Sequence, residues 1–95
     1  MGVVVGCLYL DLFISEAQSL KDRRRVLKSF KERLHQKFPV ATAEVGEPDL
    51  WQRAELAIVT VSNEQRHVDE VLSSLADWAS TQHGFVVAGR RLEWR

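Results

Sequence analysis

From Val3 to Ile14 the side chains alternate with a period of two. Val4, Leu8, Leu10, Leu12 and Ile14 share one side; Val3, Val5, Cys7, Tyr9, Asp11 and Phe13 share the other. That period belongs to a strand, and because the second side is also apolar apart from Asp11, both faces are expected to be at least partly covered. From Leu20 the period lengthens to a helix's: Leu20, Val26, Leu27, Phe30, Leu34 and Phe38 fall on one arc. Ser19 with Asp22 is a shortened capping box at its start, and Pro39 stops it near Phe38.

The alternation returns in VATAEVGE, from Val40, as a short strand, after which GEPD turns through Gly46 and Pro48. AELAIVTVS, Ala54 to Ser62, has few polar residues on either side and reads as a central strand. The two are expected to pair as a hairpin whose long loop holds Leu50, Trp51, Gln52 and Arg53. Ser62 with Gln65 suggests a second capping box, Val68, Val71, Leu72, Leu75, Trp78 and Ala79 form a second helical stripe, and Gly84 is its expected stop. In the final FVVAGRRLEW, Arg90, Arg91 and Glu93 suggest an edge strand.

Strand, helix, strand, strand, helix, strand, joined by right-handed crossovers, puts both helices on one face of a four-stranded antiparallel sheet. The expected fold is therefore α+β, the ferredoxin-like βαββαβ arrangement, as a single domain over residues 1–95. The name describes topology and implies no chemistry. One sheet face is left open, and Val3, Val5, Tyr9 and Phe13 are poor residues to leave wet, so a homodimer through that face is expected.

Composition removes several function classes. The chain is 45% hydrophobic and 27% charged, ordinary for a folded globular domain. Its longest apolar run is broken by Asp11 and has no basic segment before it, so neither a membrane span nor a secretion signal is expected, and the protein is placed in the cytoplasm. Cys7 stands alone, which leaves no internal disulfide and no thiolate metal or iron–sulfur site. His35, His67 and His83 lack ligand spacing, so no metal or other cofactor is expected. ISEAQS is not the glycine-rich, arginine-bearing loop of an acylphosphatase, no G-x-S-x-G or phosphate-binding glycine loop is present, and AELAIVTV lacks the aromatics of an RNA-recognition motif. A non-enzymatic binding protein is what remains.

Charge then changes the picture. The chain is neutral overall, with 13 basic and 13 acidic residues. Yet the first helix holds eight of the basic residues (Lys21, Arg23, Arg24, Arg25, Lys28, Lys31, Arg33 and Lys37) against two acidic ones, Asp22 and Glu32. Like charges three and four apart repel by a few tenths of a kcal/mol per pair. Arginines in the first turns also oppose the positive end of the helix dipole. Two explanations stay open: a solvated or internally paired face, with Arg23 on the core arc beside an acid such as Asp11 or Asp49, and an anion-binding face.

SLKDRRRVLKSFKERL and AEVGEPDLWQRAEL together resemble the YlxP-like family of small bacterial proteins. Ser19, Leu20, Lys21, Arg24, Arg25, Val26, Leu27 and Lys28 match its helix pattern, and Glu44, Val45, Gly46, Asp49, Leu50, Trp51, Gln52, Arg53 and Ala54 its loop pattern. The resemblance covers nearly the whole chain and implies the fold already inferred. Members are often encoded near translation-initiation and ribosome-maturation factors, which implies a setting around RNA or the ribosome. In the loop, Leu50 and Trp51 are expected to plug a core edge while Asp49 caps or pairs with an arginine; Trp51 and Arg53 are secondary candidates for partner contact.

The resulting expectation is a binding protein whose first helix docks on RNA or a ribonucleoprotein through Lys21, Arg24, Arg25, Lys28 and Lys31. The alternative is a homodimeric regulatory or structural domain that binds a small molecule.

Overall fold

A computed structural model of the chain describes residues 2–47 and 50–95. The elements follow the expected order: β1 (Val4–Phe13), α1 (Leu20–Lys37), β2 (Ala41–Val45), β3 (Arg53–Ser62), α2 (Gln65–Ala79) and β4 (Val86–Trp94). They form one antiparallel sheet in the order β2-β3-β1-β4, which is the ferredoxin-like α+β fold. β3 and β1 are central, and the arginine-bearing β4 is an edge.

The alternation of β1 sends Leu8, Leu10 and Leu12 to the helix side, where Leu56 and Ile58 of β3 join them. Against these pack Leu27, Phe30 and Leu34 of α1 and Val68, Leu72 and Leu75 of α2, all buried. Each such side chain contributes about 1.5–3 kcal/mol relative to an exposed position. The helices meet through aromatics: Phe30 stacks on Trp78 at 5.6 Å and meets the Phe85 edge at 4.7 Å. Gly6 sits beneath α2, and a Cβ there would lie 2.5 Å from Val68 Cγ1, so only glycine lets the helix come this close to β1.

Local signals held unevenly. Ser19 caps α1, its Oγ accepting from the Asp22 N–H at 3.1 Å, while Asp22 Oδ2 accepts from the Gln18 N–H at 3.1 Å. The short Asp side chain thus closes the box one residue early. At α2 the expected box fails: the N-cap is Glu64, without a side-chain cap, and Ser62 Oγ accepts from the Glu64 N–H instead. Nor does Gly84 stop α2. The helix ends at Ala79, where Thr81 Oγ1 and Gln82 Nε2 donate to the Trp78 carbonyl; Gly84, at φ +101°, serves the turn into β4.

The other sheet face carries no helix. Register places Val5, Cys7, Tyr9, Asp11 and Phe13 of β1 opposite Val61, Val59, Ala57, Glu55 and Arg53 of β3. Among the described residues no helix is long and apolar enough to cross a membrane.

Candidate nucleic-acid interface

α1 lies beside the edge strand β2 and runs against its direction. His35, near the helix end, meets Thr42 (Nε2 to Oγ1, 3.2 Å), and Arg23, near its start, pairs with Glu44. Thr42 and Glu44 occupy the helix-facing side of β2, opposite Ile58 and Leu56. Polar groups on that face need partners, and α1 supplies them.

Arg23 is 4% exposed and answers the internal-pair reading for itself alone. Its Nε donates to the Arg53 carbonyl at 3.0 Å and its guanidinium sits against the Glu44 carboxylate. The partner is thus Glu44 rather than Asp11; Asp49, the other expected partner, and Pro48 of the expected turn lie outside the described residues. Glu44 was missed because a carboxylate between Ala43 and Val45 in a short edge strand reads as solvent-facing. Its shared face with Thr42 was the available signal.

Most remaining cations also have partners. Arg66 pairs with Glu70 (3.2 Å), Arg90 with Asp77 (3.0 Å), and Arg91 with Glu93 (3.4 Å). Arg91 also lies over the Tyr9 ring at 4.3 Å, and Arg95 donates to the Tyr9 hydroxyl at 2.7 Å. Tyr9, then Glu93, holds the Arg95 guanidinium above its ordinary pKa. Arg33 donates to the Ser29 carbonyl and to Gln82, Lys37 sits over Phe38, and Arg53 over Phe13 at 5.8 Å.

Five basic residues remain: Lys21, Arg24, Arg25, Lys28 and Lys31. Among the described residues none of their side chains makes an ion pair, a hydrogen bond or a ring contact. Lys31 is half-buried and the other four are exposed. At 100° per residue all five fall within an arc of about 120°, and Lys21 to Lys31 spans about 15 Å along the axis. His35, on the same arc, touches β2, so this ridge runs along the outer flank of α1 above the sheet edge rather than opposite the core.

Past Val45 the chain leaves β2 beyond the start of α1. Gly46, at φ +84°, opens the loop to β3. Gln52 fastens the loop: its Nε2 donates to the Ser15 carbonyl at 2.8 Å, and its carbonyl accepts from the Ile14 N–H at 2.8 Å. With Arg23 held by both Glu44 and the Arg53 carbonyl, the helix start and the loop become one unit at one end of the molecule. The loop does not plug the core, contrary to expectation. Trp51 is 54% exposed and Leu50 48%, because Phe85, Phe30 and Ile14 already close the interior and the loop projects beyond the sheet end. Phe13, Leu50, Trp51, Gln52 and Arg53 line an open cleft of about 440 Å³.

The expected dimer face is divided. Val3, 69% exposed, and Val5 lie at one end of β1, and Phe13 lies at the other. Asp11 directly opposes Glu55 between them. Tyr9, also in that set, is partly covered by Arg91 and Arg95. Among the described residues no cluster of three His, Cys, Asp or Glu side chains could hold a metal ion.

The matches to known proteins span both stretches that meet at the helix start. The family model described as "Protein of unknown function (DUF503)" matches residues 5–91. The chain is also 30% identical over 91 residues, covering 96% of it and 99% of the relative, to "Uncharacterized protein YlxP" of Bacillus subtilis (strain 168). With its βαββαβ sheet and its paired helix and loop motifs, the chain belongs to the DUF503 family, to which it is matched over nearly its whole length.

Proposed function

We propose that the protein is a non-enzymatic RNA-binding protein that docks on RNA, free or within a ribonucleoprotein, through the outer flank of α1. One observation carries the reading: Lys21, Arg24, Arg25, Lys28 and Lys31 share a flank and lack side-chain partners among the described residues, whereas the protein's other basic side chains have them. Keeping such a ridge costs repulsion along the helix and opposes its dipole at Arg24 and Arg25. A polyanion removes that cost. The guanidinium forks suit phosphate oxygens, and such contacts orient RNA without reading its sequence.

The test is binding of a labelled RNA across a salt series. About five phosphate contacts give a log–log slope of roughly −4, so raising salt from about 50 to about 200 mM weakens binding about 250-fold. Affinity independent of salt overturns the reading. So does thermal stabilisation by a metabolite with no RNA retention, which is what the small-molecule alternative requires.

The Val3, Val5 and Tyr9 half of the open face supports a second reading, a homodimer. Val61 beside Val5 is 60% exposed, and the rim carries both signs, Arg91 on β4 with Arg95 just past its end and the opposed Asp11 and Glu55. A second copy can meet each charge with its opposite. Light scattering at twice 10.9 kDa that falls to 10.9 kDa in Val61→Glu is the expected result, and a wild-type monomer refutes it.

A further inference from the structure

The cleft at the loop end is not explained by the basic ridge. Trp51 and Leu50 expose large apolar surfaces that the core does not use, yet the backbone beneath them is fastened by Gln52 to Ser15 and Ile14 and by Arg23 to Arg53. Arg53 lies over the Phe13 ring at 5.8 Å, so an aromatic face and a flat guanidinium already stand together at the cleft wall. Exposed rings on a fixed backbone need little ordering to accept another flat group.

Charge says what that group belongs to. The ridge on α1 ends at Lys21 and Arg24, beside Arg23, whose side chain is bonded to the loop at Arg53. The ridge and the loop thus meet at the same end of the molecule, where a strand leaving the ridge can turn past the sheet end onto Trp51. Next to the Trp51 cleft a second one, about 180 Å³, shares Leu50 and Arg53 with it and is lined by Asp11, Glu47 and Glu55. Those carboxylates repel phosphate and accept hydrogen bonds from amino groups such as cytosine N4. The backbone is held to the α1 side, and a base turned off it faces the rings.

We infer that Trp51, with Phe13 and Arg53, is a stacking platform for an unpaired nucleobase, and that RNA meets this protein as a single strand where it leaves the α1 ridge. The inference rests on the RNA-docking reading and narrows it. A duplex keeps its bases stacked and offers none to the platform, whereas any unpaired base has a ring face to give.

The test compares a fluorescein-labelled 12-nucleotide oligocytidylate with an RNA duplex of equal length, using the full chain. Trp51→Ala weakens oligocytidylate binding about tenfold, as for loss of one base–aromatic contact. It leaves duplex binding and the salt slope within twofold of wild type. Trp51→Phe restores most of the loss. Because Trp51 is exposed, both variants keep the wild-type melting temperature. Equal loss for strand and duplex overturns the platform, as does no loss for either while Arg24→Glu still weakens both; in that second case the ridge stands and only the stacking fails. Conversion of a dimer to a monomer by Trp51→Ala assigns the cleft to a subunit interface and also overturns it. Absence of binding by the wild type to either probe removes the docking reading itself.

Discussion

The α1 flank and the β4 edge are both rich in cations, and they differ in what faces each charge. On β4, Arg90 meets Asp77 and Arg91 meets Glu93 and the Tyr9 ring, and just past its end Arg95 meets Tyr9 and Glu93. Asp77 and Tyr9 tie the edge strand to α2 and β1, and Glu93 pairs with Arg91 and Arg95 along the strand end. On α1 the five flank cations face solvent or stand half-buried without such partners among the described residues. Charge counts alone make the two regions similar, whereas partnering separates a structural role from a free one.

The largest expected effect sets one region directly against the other. Reversing Arg24, Arg25 and Lys28 to Glu should weaken RNA binding a hundredfold or more at about 100 mM salt and flatten the slope from roughly −4 to about −2. Reversing Arg90 and Arg91 to Glu should change affinity less than threefold. Fluorescence anisotropy on matched probes reads both. Equal losses from the two variants would mean that long-range charge, rather than the ridge, governs binding.

Arg23 sharpens the comparison from inside α1, since it is the member of the basic run withdrawn into the fold. Arg23→Met removes the guanidinium from Glu44 and the donor from the Arg53 carbonyl. A fully buried pair broken on one side costs about 3–5 kcal/mol, and Glu44, roughly a third exposed, reduces this to about 2 kcal/mol. For a chain of this size the melting temperature should fall by about 10 °C. Arg23→Met with Glu44→Leu should recover much of it, because no charge is then left unpaired. RNA affinity of the folded protein should stay within twofold.

These residues also mark how far the sequence carries. The period of β1 and β3 assigns Leu8, Leu10, Leu12, Leu56 and Ile58 to one face because a strand has only two, and the flank residues of α1 follow from angular position in the same way. That Arg23 lies on the core arc was equally readable. Its partner was not, because Glu44 is brought to it by the packing of an edge strand that no local period describes. The same holds for Leu50 and Trp51. Hydrophobicity said they should be covered, but whether a hairpin loop folds over the core or projects past it depends on how completely Ile14, Phe30 and Phe85 close the interior. At α2, Ser62 carries the right side chain two residues too early to cap.

The smallest expected effect tests the structural side. Arg91→Ala removes a guanidinium 4.3 Å from the Tyr9 ring and an exposed pair with Glu93. Exposed ion pairs contribute about 0–1 kcal/mol and exposed cation–π contacts about 0.5–1 kcal/mol. The two share one side chain, so their sum is an upper bound, and a loss of about 1 kcal/mol in a urea melt is expected. Salt separates them. The pair with Glu93 is screened at about 1 M, where the Debye length is about 3 Å, while the guanidinium resting on the ring loses less of its attraction. Most of the Arg91→Ala destabilisation should therefore persist in high salt, in contrast to RNA binding by α1, which should vanish there. A deficit that disappears with salt would make Arg91 one more surface charge and erase the distinction between the edge strand and the helix flank.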